Sequence, residues 1–159
     1  VNSEIIRERL EKIVYECDKH LERMSSAARK MANTMPPDEE KYIALGEDEI
    51  QNIDQFLFRF AKLQDGMGQK LFKTVLVFLG EEIEGKPFID ILNQMEKIHL
   101  IDAANDWMKL RDDRNELSHN YENQPQEMSV ALNKLYEKRL LLEAIYSKIK
   151  TFYYQKKVA

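Results

Sequence analysis

The sequence predicts an all-α protein, an antiparallel bundle of four to five helices forming a single helical domain over residues 1–159. Three observations carry that expectation. Apolar residues recur at steps of three and four through most of the chain, the repeat of a helix with one buried face. Five glycines and four prolines in 159 residues leave few turns and long elements between them. No stretch alternates apolar and polar residues as a half-buried strand does.

Taken in order, Ile6, Leu10, Ile13, Cys17, Leu21, Met24, Ala28 and Met31 form the stripe of a first helix. It starts near Ser3 and stops before TMPPDEE, where Pro36 and Pro37 break it. A short helical segment from Asp38 to Leu45 ends at Gly46. A second long helix covers residues 48–79, with Ile53, Leu57, Phe60, Gln64, Met67, Leu71, Thr74 and Phe78 as its seam. DGMGQ sets Gly66 and Gly68 in its middle, each costing about 1 kcal/mol against alanine. The pair calls for close approach of another helix or a slight kink. It is no phosphate loop, since no strand precedes it and no G-K-[ST] ending follows.

GEEIEGKPF is a turn, and Pro87 suits the first turn of a shorter helix running to about Ile98. DAANDWMKL opens the next helix, with Trp107, Leu110 and Leu117 facing the core. ENQPQE breaks that helix, and Pro125 opens the last one, striped by Met128, Leu132, Leu135, Leu142, Ile149 and Phe152.

A formal charge of −4 argues against a protein that coats nucleic acid, because such affinity comes from many phosphate contacts. A nucleic-acid substrate then requires a local basic site. No apolar run reaches membrane-spanning length, and VNSEIIRERLEK reads as charged and amphipathic rather than as a signal peptide. Cys17 is the single cysteine, so no intrachain disulfide or cysteine-based zinc site forms within one chain. The expected setting is reducing and cytoplasmic, without membrane association. No metal or cofactor is expected.

The helix that begins near Ala103 ends in DWMKLRDDRNELSHNYENQP, residues 106–125, which contains Arg114, His119 and Tyr121. At about 100° per residue, Trp107, Leu110, Arg114, Ser118 and Tyr121 share a broad face. Arg114 therefore leaves the helix beside the apolar seam, where a fully buried unpaired charge is costly. An edge position or an interface is expected. His119 lies about 140° from Arg114 on an unbroken helix, so the two converge only if the helix yields near Ser118, or across a two-fold axis between chains. Spacing alone leaves a second reading open, in which these residues merely cap a helix end. Lys109, Arg111 and Arg114 form a local positive cluster, offset by Asp112, Asp113 and Glu116. At the C-terminus, KIKTFYYQKK is either a solvated, frayed helix end or a basic and aromatic contact for RNA. His20 and His99 read as ordinary surface or satisfied residues.

R-x4-H-x-Y near a helix end, in an all-α chain of this length, resembles the HEPN domain family. The likeness is specifically to the HepT-like toxins of HEPN–MNT systems, whose partner is a minimal nucleotidyltransferase. FRFAKLQDGMGQKLF, residues 58–72, is similar to the second-helix signature of these proteins. Residues 88–121 run like the helices that follow it. The resemblance covers roughly residues 5–150. It implies a HEPN-like bundle and a metal-independent endoribonuclease that works as a homodimer. Arg114 and His119 would carry catalysis, with Asn115, Ser118 and Arg111 in supporting positions. Tyr121 would be the site where the cognate nucleotidyltransferase attaches AMP, silencing the enzyme. The implied alternative is a non-catalytic accessory or substrate-binding subunit of a nucleotidyltransferase. No role for Gln64 or Asp65 follows from either reading.

The implied chemistry is coherent. RNA cleavage without metal uses the 2′-hydroxyl as nucleophile, a base for its proton and an acid for the leaving oxygen. Histidine serves either role near neutral pH, and a guanidinium matches the charge growing on phosphorus-bound oxygens. One motif supplies one histidine for two proton transfers, a shortage that a symmetric dimer repairs. AMP on Tyr121 would place a phosphate beside Arg114, in the place meant for RNA.

Overall fold

The structure, a computed structural model, describes residues 3–119 and 123–158, with the side chains of all of these except Ser118 and His119. Among the described residues six helices follow one another: α1 (Ser3–Met31), α2 (Glu39–Ile43), α3 (residues 47–78), α4 (Phe88–Lys97), α5 (Ala104–His119) and α6 (Pro125–Lys157). There is no strand among the described residues. α2 is a five-residue turn, and the other five make the all-α bundle.

Helix ends fall where the side chains can satisfy them. Asp38 accepts from the Lys41 amide at 2.8 Å to start α2, and Glu49 reaches back to the Gly46 amide at 3.3 Å to start α3. Glu96 on α4 accepts from the Ala104 amide at 2.7 Å, so the preceding helix caps α5. Each such contact removes one of the amides that a helix start leaves orphaned. Pro125 opens α6, where its missing N–H costs nothing. α4 ends through His99, whose φ of +64° lets the Leu100 amide return to the Met95 carbonyl at 2.9 Å.

Cross-contacts fix α1 as antiparallel to α3 and α6, and α5 as antiparallel to both of them, so that α3 and α6 run parallel where their rings meet. α1 runs against α3: Arg7 lies over the Phe78 ring, Lys70 pairs with Glu16, and Arg59 reaches His20. α6 returns along α1, joining Tyr136 to the Ala28 carbonyl, Tyr146 to Val14 and Lys150 to Asp18. α5 opposes α6 through Glu116–Lys134 and is flanked by Asp102–Lys148. It opposes α3 through Arg114–Asp65, while Trp107 sits on Phe72.

The core between these helices holds Leu10, Phe56, Phe60, Leu71, Phe72 and Trp107 among others. Ile6, Leu10, Ile13 and Cys17 are buried as the spacing requires, whereas Leu21 is half-buried. On α6 the expected Leu132, Leu135, Leu142 and Ile149 are buried, and Tyr146 and Tyr153 join them in place of Met128 and Phe152.

The C-terminal KIKTFYYQKK is neither frayed nor presented as a basic tail. Helix α6 continues to Lys157. Lys157 pairs with Glu11, and the Tyr153 and Tyr154 hydroxyls donate to the same carboxylate at 3.2 and 3.3 Å. These partners hold the Glu11 carboxyl below its ordinary range, Lys157 foremost. Two turns earlier, Tyr146 and Lys150 close on Asp18, and burial pushes the Tyr146 phenol up. Amphipathic side chains that looked available to a ligand are spent fastening α6 to α1.

No described helix is long and apolar enough to cross a membrane.

Candidate functional site

The candidate site is built where α3 departs from α-helical geometry. Residues Met67–Leu71 form a π-helical turn between two regular segments, Glu47–Gly66 and Phe72–Phe78. Such a turn inserts extra chain into a helix and recurs at functional sites. Its effect on the seam is direct. Ile53, Phe60, Gln64, Met67 and Leu71 are buried as the step pattern demands and Leu57 is half-buried beside the buried Phe56, but beyond the π turn the buried positions are Phe72, Val75 and Leu76. Thr74 and Phe78, expected on the seam, are only half-buried.

The two glycines bracket this turn because two neighbours come too close for a side chain. A Cβ at Gly66 would stand 3.2 Å from the Cys17 sulfur of α1, and one at Gly68 would stand 3.1 Å from Cζ2 of Trp107 on α5. Close helix approach is thus the structural reason for DGMGQ. Trp107 meets Phe72 edge-on at 4.6 Å between centroids, a pairing worth about 0.5–1.5 kcal/mol beyond area burial.

Between α3 and α5 this packing leaves an open cavity of about 410 Å³. Gln64, Gly68, Phe88 and Trp107 contribute to its walls. Lys73, Arg111 and Arg114 bring three cations to it against the single carboxylate of Asp65. A chain of net negative charge therefore carries a local cationic site, the condition that its composition imposed on any polyanionic ligand. Arg111 lies over the Phe88 ring at 5.4 Å, and among the described residues neither it nor Lys73 makes an ion pair.

Arg114 takes the edge position that its place on the helix requires. Its guanidinium donates to both oxygens of Asp65, at 2.5 and 3.3 Å, with side chains 32% and 39% exposed. A pair this open contributes at most about 1 kcal/mol to stability. Its larger effect is geometric, since two-point contact fixes the plane of the guanidinium. Asn115 is exposed and also lines the cavity. Glu116 turns the other way, toward Lys134.

Arg111, Arg114 and Asn115 are thus brought together on one wall. His119 lies in α5, and whether the helix yields just beyond it falls outside the described residues. The side chains of Ser118 and His119, and Tyr121 altogether, lie outside the described residues. Among the described residues no group of three or more His, Cys, Asp or Glu side chains is gathered as a metal site would require.

Asp65 and Gln69 also border a second depression of about 290 Å³, facing α1 and lined by Glu16, Cys17, His20, Lys62 and Lys70 among others. His20 accepts from Arg59 through Nδ1 at 2.9 Å, and burial, with Arg59 beside it, lowers its pKa. Burial pushes the Cys17 thiol up to about 12, which leaves it unreactive as a nucleophile.

Sequence reasoning missed three contributors. Asp65 was legible as part of a recognisable segment, but nothing in spacing pairs it with a residue 49 positions away. Lys73 and Phe88 carry no sequence signal for the site. Gln64 did carry one: an amide at a seam position is a buried polar group in waiting.

The fold and the site together define an all-α helical bundle with a cation-rimmed cavity beside an oriented arginine. Neither a family model, nor a curated protein, nor a solved structure matches the chain.

Proposed function

We propose that the chain is a metal-independent endoribonuclease of the HEPN type, acting as a homodimer and silenced by a partner nucleotidyltransferase that transfers AMP to Tyr121. The observation that supports this most is the Asp65–Arg114 ion pair at the edge of the cavity. It aims the motif arginine from a second helix, five residues before the motif histidine on α5.

In this reading Arg114 binds the scissile phosphate and stabilises the charge that develops on its oxygens. His119 takes the proton of the 2′-hydroxyl as that oxygen attacks phosphorus, and its counterpart in the second copy gives a proton to the departing 5′-oxygen. The products are a 2′,3′-cyclic phosphate and a 5′-hydroxyl. Lys73 and Arg111 hold neighbouring phosphates. AMP on Tyr121 places a competing phosphate at the same arginine.

The Asp65 carboxylate favours a second reading, the non-catalytic nucleotidyltransferase subunit, because it offsets the arginine's charge in the absence of RNA. Expression without the partner separates the two. Growth arrest by the wild type but not by His119→Ala supports the nuclease, with cleavage by the purified protein lowered at least about 100-fold in that variant. Equal harmlessness of both proteins overturns it in favour of the accessory subunit.

A further inference from the structure

We infer that the cavity between α3 and α5 is a nucleotide subsite that takes a base inward, against Gln64 and Trp107, and a phosphate at its mouth, on Arg111 and Lys73. Three independent features of the cavity converge on that ligand.

The first is Gln64. It lines the cavity and is 2% exposed, yet among the described residues neither its Oε1 nor its Nε2 has a hydrogen-bond partner. A buried amide left in this way weakens the fold, and an apolar side chain would close the seam at no such cost. A planar amide carries an acceptor and a donor side by side. That is the complement of a base edge, and glutamine makes this two-point contact with adenine through N6 and N7. The amide atoms are sealed from bulk solvent, and the subsite requires the side chain to turn toward the base as it binds.

The second feature is the wall. Phe88, half-buried, gives the cavity aromatic surface, with the edge of the buried Trp107 behind it, and aromatic rings accept any base by stacking or edge contact. The glycine at position 68 lets the indole pack close to α3, since a Cβ there would stand 3.1 Å from Cζ2 of Trp107. The third feature is the rim. Lys73 and Arg111 are both exposed there, and Arg111 is steadied over Phe88. Such a layout, an amide and rings within and cations outside, matches a nucleotide better than a bare anion or an apolar ligand.

The inference rests on the proposed ribonuclease reading only for where the nucleotide comes from. A base of an RNA strand and a free mononucleotide offer the same chemistry, so the experiment includes both. The full chain carrying His119→Ala, which cannot cleave under that reading, is titrated with AMP, UMP, ribose 5-phosphate, oligo-A and oligo-U. Binding is followed through the side-chain amide resonances of Gln64 and the indole N–H of Trp107.

AMP is expected to move both resonances and to bind at least about tenfold more tightly than ribose 5-phosphate, with Gln64→Leu reducing its affinity about tenfold. Gln64→Leu removes an unsatisfied group from the core and is expected to fold. Tighter binding of oligo-A than of AMP assigns the base to a strand, and equal binding assigns it to a free nucleotide. AMP binding no better than ribose 5-phosphate, or binding unaltered in Gln64→Leu, overturns the subsite. Because binding alone is read, a failure of cleavage elsewhere leaves this result standing, and the reverse holds as well.

Discussion

Asp65 on α3 grips Arg114 on α5 through both terminal guanidinium nitrogens, at 2.5 and 3.3 Å. The motif arginine is therefore aimed by a helix outside the motif, from 49 residues upstream. Both partners are about a third exposed, so Asp65→Asn is expected to lower stability by less than about 1 kcal/mol in urea unfolding. Under the nuclease reading its kcat falls about tenfold or more while KM changes little, because an arginine that is no longer held in plane meets the transition state poorly. An unchanged kcat shows that the ion pair is merely a cross-link.

Gln64→Leu should stabilise the protein. The unsatisfied amide costs about 1–3 kcal/mol, and leucine fills similar space without polar atoms. The expected result is a higher urea midpoint with an unchanged slope. A lower midpoint means that the amide is satisfied in solution after all.

Gly68→Ala tests the close approach of α5. The new methyl lands 3.1 Å from Trp107, which is itself backed by Phe72 and has little room to retreat. Overpacking of about 1–3 kcal/mol outweighs the gain of about 1 kcal/mol in helix propensity. Net destabilisation is expected by thermal unfolding, and a stabilised variant contradicts the packing described.

His20 sets a pH dependence whose sign follows from its surroundings. Its pKa is lowered, by burial first and by Arg59 second, with Lys62 and Lys70 adding and Glu16 opposing. The Arg59 contact needs Nδ1 without a proton. A histidine held neutral in the fold binds its proton more readily when unfolded. Its contribution is therefore fully present above the unfolded value of about 6.5 and is lost as pH falls below it, through the folded value. NMR titration should place His20 below 6.5, and His20→Gln should flatten the stability profile on the acid side. A titration at or above 6.5 refutes the assignment.

The helix limits were legible because proline, glycine and capping residues punctuate this chain sharply. Pro36, Pro37 and Gly46 stand between the elements they were expected to separate, Pro125 opens α6 as expected, and Pro87 stands just before α4 as its N-cap rather than inside its first turn. The π turn was not legible, because it differs from α-helix by one hydrogen-bond step and has no residue type of its own. Its consequence, the shift of the seam from Thr74 and Phe78 to Val75 and Leu76, was equally hidden. Half of the site followed from helical geometry, which put Arg114 at the seam edge beside Trp107. The other half depends on pairings across the bundle, Asp65 with Arg114 and Gly68 with Trp107, that local spacing cannot encode. The C-terminal aromatic and basic run shows the opposite error: residues that look available in sequence are consumed by an acidic partner on α1.

Trp107 is the chain's single tryptophan, and it stands in the wall of the cavity. The chain thus carries one indole, which can be excited apart from its seven tyrosines, at the inner wall of the proposed subsite. Quenching or a spectral shift on adding a candidate molecule reports on the surroundings of that one indole, without a label and without a second indole to blur the signal.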